Sequence, residues 1–131
     1  MAQKYLVIPV RKKHIREGVG GDVNFCAIAV AAKAELEKQG YEIGDVSVGD
    51  GITIAARKES DSMTCDLHLE SVEADGVSEF IHEFDALKEL EDELANGNYG
   101  EGYEYENRRE LQAAVTAQRA KVQPTEIRIP L

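Results

Sequence analysis

The stretch His14–Leu36, HIREGVGGDVNFCAIAVAAKAEL, decides the fold. A basic turn leads into three glycines, then an acid, then a run of small apolar residues. Phe25, Ile28, Ala29, Ala32 and Leu36 recur at helical spacing and make one apolar stripe, so a helix is expected over 24–39. Asp22 or Asn24 can cap its start, because a short side-chain oxygen accepts from the first free amides. Gly40 is the expected left-handed residue that ends it. The alanines keep the helix thin, and a thin helix can lie close on a sheet.

Strands surround this helix. Leu6, Ile8 and Val10 alternate in a first strand, and Pro9 argues for an edge position or the strand's end. A short strand over 45–48, a Gly49-Asp50-Gly51 turn and a strand with Ile52 and Ile54 read as a hairpin. A third consecutive strand sets Met63, Cys65, Leu67 and Leu69 on one face, with Asp66, His68 and Glu70 on the other. A second helix is expected from near Glu73, with Val77, Phe80, Ile81 and Phe84 inward and a break near Asp85 before Leu87, Leu90 and Leu94. A third starts at Glu106 or Asn107, with Leu111, Ala114, Val115 and Gln118 on one side. Thr125–Leu131 closes the chain as a strand with Ile127, Ile129 and Leu131 inward.

The order β-α-β-β-β-α-α-β implies an α+β fold. Its expected form is two layers, a mostly antiparallel sheet of about five strands with helices on one face. At 131 residues the chain is expected to be a single domain. Leu6, Ile8, Ile28, Leu36, Ile54, Leu67, Phe80, Phe84 and Ile129 are its expected core.

The formal charge of -10 is unevenly spread. Residues 73–106 hold 12 of the 25 acids against Lys88 as their only lysine or arginine, so this segment alone is more negative than the whole chain and the remainder is slightly basic. Phosphates would be repelled by the acidic part, so direct nucleic-acid binding by it is not expected. No apolar run approaches the roughly 20 residues that span a bilayer, and a cytoplasmic protein is expected. Cys26 and Cys65 read as small buried residues, though their pairing is left open.

No arrangement points to catalysis, and no cofactor is implied. The three histidines show no helical ligand spacing with a carboxylate partner, and no serine sits in a nucleophile elbow. A metal at the Asp66, His68 and Glu70 face is less expected than a solvated face.

Two binding classes remain. In the leading one, an acidic interaction protein uses Glu91, Asp92 and Glu93 with Tyr99, Tyr103 and Tyr105 to contact the basic groove of a partner. In the alternative, Gly20 and Gly21 precede a helix N-terminus beside Arg11, Lys12, Lys13 and His14, and together they hold a nucleotide phosphate or small anion. GVGGD is neither a Walker loop nor a dinucleotide fingerprint, and a tight turn with a solvated basic edge explains it as well. A structural or regulatory protein with no ligand is the remaining alternative, and a homo-oligomer is compatible with all of these.

The order of several short motifs resembles that of uncharacterised small proteins of bacteriophages, prophages and actinobacteria. The carriers are Ile8-Pro9-Val10; His14, Ile15, Gly18 and Gly21; Cys26-Ala27-Ile28-Ala29; Val46, Val48 and Gly49; and Val77, Phe80, Ile81, Phe84 and Asp85. The resemblance covers most of 5–86 and the last strand. It implies a phage-encoded accessory protein acting in the host cytoplasm, for which inhibition of a host defence factor is a fitting role. It implies no known activity. Val23 stands where such proteins often carry the first cysteine of C-x-x-C, which removes a simple metal or redox reading. By the same comparison 87–121 reads as an insertion before the last strand.

Overall fold

The computed structural model describes residues 4–49, 51–60 and 63–131. The fold is α+β. Five strands and four helices run in the order β1 (Tyr5–Val10), α1 (Lys12–Glu17), α2 (Ala27–Lys38), β2 (Glu42–Val48), β3 (Ile52–Ser60), β4 (Met63–Val72), α3 (Val77–Ala95), α4 (Arg108–Arg119), β5 (Thr125–Pro130).

The strands divide into two antiparallel sheets instead of the single one expected. One pairs the first strand with the last, setting Leu6 opposite Ile129 and Ile8 opposite Ile127, all buried. The other is the β2-β3-β4 meander. Helix α2 joins them by packing against both β1 and β2. Its alanines explain how. Ala27, Ala29, Ala31 and Ala32 are buried along with Ile28 and Leu36, so more than one side of the helix is apolar and covered.

The helix begins later than expected. The Asp22 carboxylate accepts from the Asn24 amide at 3.0 Å, and the Phe25 amide bonds back to the Asp22 carbonyl. This side-chain-closed turn holds Asp22 and Asn24 outside the helix, and Cys26 is the residue at its start. Phe25 therefore leaves the apolar stripe. It is 53% exposed, with the Lys33 ammonium 4.2 Å from its ring centre. The expected end holds: Gly40 takes φ +93°, and the Tyr41 amide bonds the Leu36 carbonyl.

Helix α3 runs unbroken through Asp85. Phe84 and Leu87 are fully buried, whereas Phe80 is half-buried and stacks on Phe84 with ring centres 6.2 Å apart. Leu67 is likewise half-buried, so two of the nine expected core residues sit at its margin. Leu131, expected inward, is 53% exposed. Helix α4 packs on α3 through Leu111 and Val115. The Gln118 amide fastens it, donating to the Glu83 carboxylate at 2.7 Å. Asn107 caps it by accepting from the Glu110 amide at 2.9 Å.

Candidate functional site

The glycine turn is built for packing. A Cβ on Gly18 would stand 2.7 Å from the Ala27 nitrogen and 2.8 Å from the Phe84 ring; one on Gly20 would stand 2.6 Å from the Lys88 Cβ. Gly21 has φ +73°, open to glycine, and its amide donates to the Asp85 carboxylate at 3.0 Å. The anion at this amide is therefore the chain's own. Gly20 and Gly21 also precede the first residue of α2 by several positions, and they border a groove with Asp85, Glu89, Asp92 and Glu93.

The remaining residues of the expected anion site go elsewhere. Residues 12–17, expected as a basic turn, form the short helix α1, whose buried face is His14 and Ile15. Arg11, Lys13 and His14 line a shallow recess with Glu35 and Lys38 of α2. The His14 Nδ1 accepts from the Arg11 amide at 3.0 Å, so that nitrogen carries no proton. Burial, then the Lys13 charge, holds the imidazole pKa below its ordinary value.

Lys12 and Arg16 line a different concavity, a cleft of about 610 Å³ between α1, α3 and α4. That volume lies within the roughly 300–1,000 Å³ of small-molecule sites. Its floor is apolar, with the buried Ile15, Leu87 and Val122. Lys12 and Arg16 from α1, Lys88 from α3 and Arg119 from α4 supply four cations against one carboxylate, Glu91. Glu91 stands between two of them, 3.7 Å from Lys88 and 3.6 Å from Arg119. The Lys88 ammonium also donates to the Arg16 carbonyl at 3.1 Å and lies 5.5 Å from the Phe84 ring centre. Lys88 thus ties the glycine turn and α1 to α3, and its charge is held in place.

The residues expected to contact a partner are also divided. Glu91 faces the cleft, while Asp92 and Glu93 border the groove beside the glycine turn. Tyr103 is 54% exposed, whereas Tyr99 and Tyr105 are half-buried. Their loop is a bonded turn: the Gly100 amide donates to the Tyr105 carbonyl at 2.8 Å, and Gly97, Gly100 and Gly102 take positive φ. Desolvation, then Glu104 and Glu93, raises the Tyr105 phenol pKa.

Cys26 is buried and free, and burial raises its thiol pKa, against the lowering expected of a reactive cysteine. The side chain of Cys65 lies outside the described residues. Asp66 pairs with Arg57 at 3.0 Å. Among the described residues no group of three or more His, Cys, Asp or Glu side chains could hold a metal ion. No described helix is long and apolar enough to cross a membrane. Comparison of the chain with protein-family models, curated proteins and solved structures finds no match.

Proposed function

We propose that this protein is a binding module for a small anion with an apolar body, held in the cleft between α1, α3 and α4. The observation that carries this reading is the convergence of Lys12, Arg16, Lys88 and Arg119 on an apolar floor, in a chain whose net charge is -10. Apolar floors supply affinity, and a few convergent polar groups supply orientation. Phosphate or carboxylate oxygens would meet the rim, and a planar or aliphatic body would cover Ile15, Leu87 and Val122.

Glu91 supports the reading. Lys88 and Arg119 already direct their charges at a carboxylate, which is the geometry an incoming anion needs. Both contacts are long, and the Arg119 side chain is largely exposed; such surface pairs are worth about 0–1 kcal/mol, so a ligand displaces Glu91 from Arg119 at little expense, while the mostly buried Lys88 stays on the Arg16 carbonyl. This is the anion-binding alternative of the sequence transferred to another site, with Lys12 kept from the original set.

Calorimetry with ADP and with inorganic pyrophosphate tests it. The expected result is salt-sensitive ADP binding, tighter than pyrophosphate because only ADP covers the floor. Arg16→Glu with Arg119→Glu should weaken it at least about tenfold, equivalent to about 1.4 kcal/mol. Absence of heat with both probes, or binding that ignores the double variant, would overturn it.

A second reading rests on the other flank of α3. Glu89, Asp92 and Glu93 border one groove, and Tyr103 is exposed on the adjoining loop. On this reading a phage-encoded protein engages the basic groove of a host factor there. Charges at a rim tune association and aromatic residues carry affinity. Asp92→Lys with Glu93→Lys should then slow capture of a basic partner, and Tyr103→Ala should speed its release. Unchanged rates in both variants would exclude this face.

A further inference from the structure

All that helix α1 gives the cleft hangs on six residues. Lys12 and Arg16 stand at the rim and Ile15 in the floor. Helices this short are marginal in water and depend on packing. The first turn of α1 holds no acid, and it begins with Lys12 and Lys13, whose charges oppose the positive end of the helix dipole. The helix packs on α2, and its buried residues are His14 and Ile15.

His14 also closes the start of this helix. Its Nδ1 accepts from the Arg11 amide at 3.0 Å, while its own amide and that of Ile15 donate to the Arg11 carbonyl at 3.0 and 3.2 Å. Only the neutral imidazole can accept there, because the charged form carries a proton on both nitrogens. The charged groups around it are Arg11, Lys13 and Glu17 on its own segment and Glu35 and Lys38 on α2. Strand β1 presents the uncharged Pro9. Cations therefore outnumber acids beside a buried ring.

We propose that His14 is a proton-operated latch on the ligand cleft: neutral, it seats α1; protonated, it releases the first turn of α1 and withdraws Lys12 and Arg16 from the cleft. The consequence for binding rests on the anion-binding reading of the cleft; the release of α1 does not. The direction of the effect distinguishes release from simple charge. An added cation on α1 would draw an anion more tightly, whereas a released α1 holds it more weakly. Burial, then Lys13, keeps the imidazole pKa below its ordinary value, so the neutral form belongs to the seated helix and acid favours release.

Two measurements on the full chain test it. The first uses no ligand and no variant. Amide exchange is followed from pH 7.5 to 5, corrected for the intrinsic rate, at Ile15 and Gly18, whose amides bond the Arg11 and His14 carbonyls. The His14 imidazole is titrated by NMR in the same samples. The expected result is a loss of protection in α1 that tracks the His14 titration, with the amides of α4 unchanged. The second is calorimetry with ADP on wild type and on His14→Gln, whose side-chain oxygen can accept the Arg11 amide at any pH. Comparing the two proteins at each pH cancels the titration of ADP itself. They should bind alike at pH 7.5, and at pH 5 wild type should bind at least about threefold more weakly than the variant. Protection of α1 that ignores the His14 titration would overturn the proposal, as would wild type binding ADP as tightly as the variant, or more tightly, at pH 5. If neither protein binds ADP while α1 still loosens with the His14 titration, the release of α1 is upheld and the ligand reading falls.

Discussion

Replacing Gly18 by alanine separates a turn built for packing from one built for a ligand. The new Cβ would stand 2.7, 2.8 and 2.9 Å from the Ala27 nitrogen, the Phe84 Cζ and the Ala27 Cα. Unstrained carbon contacts lie near 3.5–4.0 Å. Two of these neighbours are backbone at the start of α2, and the third is a fully buried ring, so none can rotate aside. Overpacking of this kind costs about 1–3 kcal/mol. Gly18 has φ −67° and ψ 152°, which any residue adopts, so no backbone strain is added. The less flexible unfolded chain returns about 0.4–1 kcal/mol. The expected net loss is about 1–2 kcal/mol. Gly21→Ala differs in kind: nothing lies within 4 Å of its Cβ, and only the left-handed φ of +73° opposes it. That opposition is about 1–2 kcal/mol before the same return, leaving about 1 kcal/mol. Urea unfolding of wild type and both variants, followed by circular dichroism, measures the three stabilities. If Gly18→Ala lay within about 0.5 kcal/mol of wild type, or cost less than Gly21→Ala, the close approach to α2 and α3 would not be why glycine stands there.

Phe84→Ala should destabilise by about 3–5 kcal/mol, and the half-buried Phe80→Ala by about half as much or less, in the same urea assay. The neutral form of His14 accepts the Arg11 amide, and its folded-state pKa lies below the ordinary 6.5. Its contribution is therefore fully present above about pH 6.5 and is lost as the pH falls through the lower folded-state value. Stability measured from pH 7.5 to 5 should fall less steeply in His14→Gln than in wild type. Glu91→Gln should tighten ADP a few-fold by freeing Arg119 and removing the cleft's one carboxylate charge, as read by calorimetry; weaker binding would mean that Glu91 positions the cleft and does not compete for it.

Long, strongly periodic segments were legible in the residues alone. The stripe Val77, Phe80, Ile81, Phe84 marked α3, though not its unbroken run through Asp85, and the alternation of Leu6, Ile8 and Val10 marked β1. Short-range competition was not. Asp22 looked like a helix cap, but its carboxylate closes a turn first and α2 starts at Ala27. Helix α1 is six residues long, too short for a period to show, and its buried face is a histidine and an isoleucine. Phe80 and Phe84 share one stripe in sequence; only the tertiary packing sets Phe84 at the centre and leaves Phe80 at the rim.

The cleft was the least legible feature. Its cations come from residues 12–16, 88 and 119, which no local window joins. One signal was present, namely Lys88 as the sole lysine or arginine among the acids of residues 73–106. A lone cation in such a run has a local electrostatic use. Here it bonds the Arg16 carbonyl and faces Glu91.

The most direct test of the anion-binding account is to map where an anion settles. Backbone amide shifts of the isotope-labelled chain, followed through a titration with ADP, supply that map. Progressive shifts centred on Ile15, Arg16, Arg119 and Val122 are expected, with Gly21, Asp22 and Asn24 unmoved. Shifts centred on Gly21 to Asn24, or no saturable shifts at all, would contradict it.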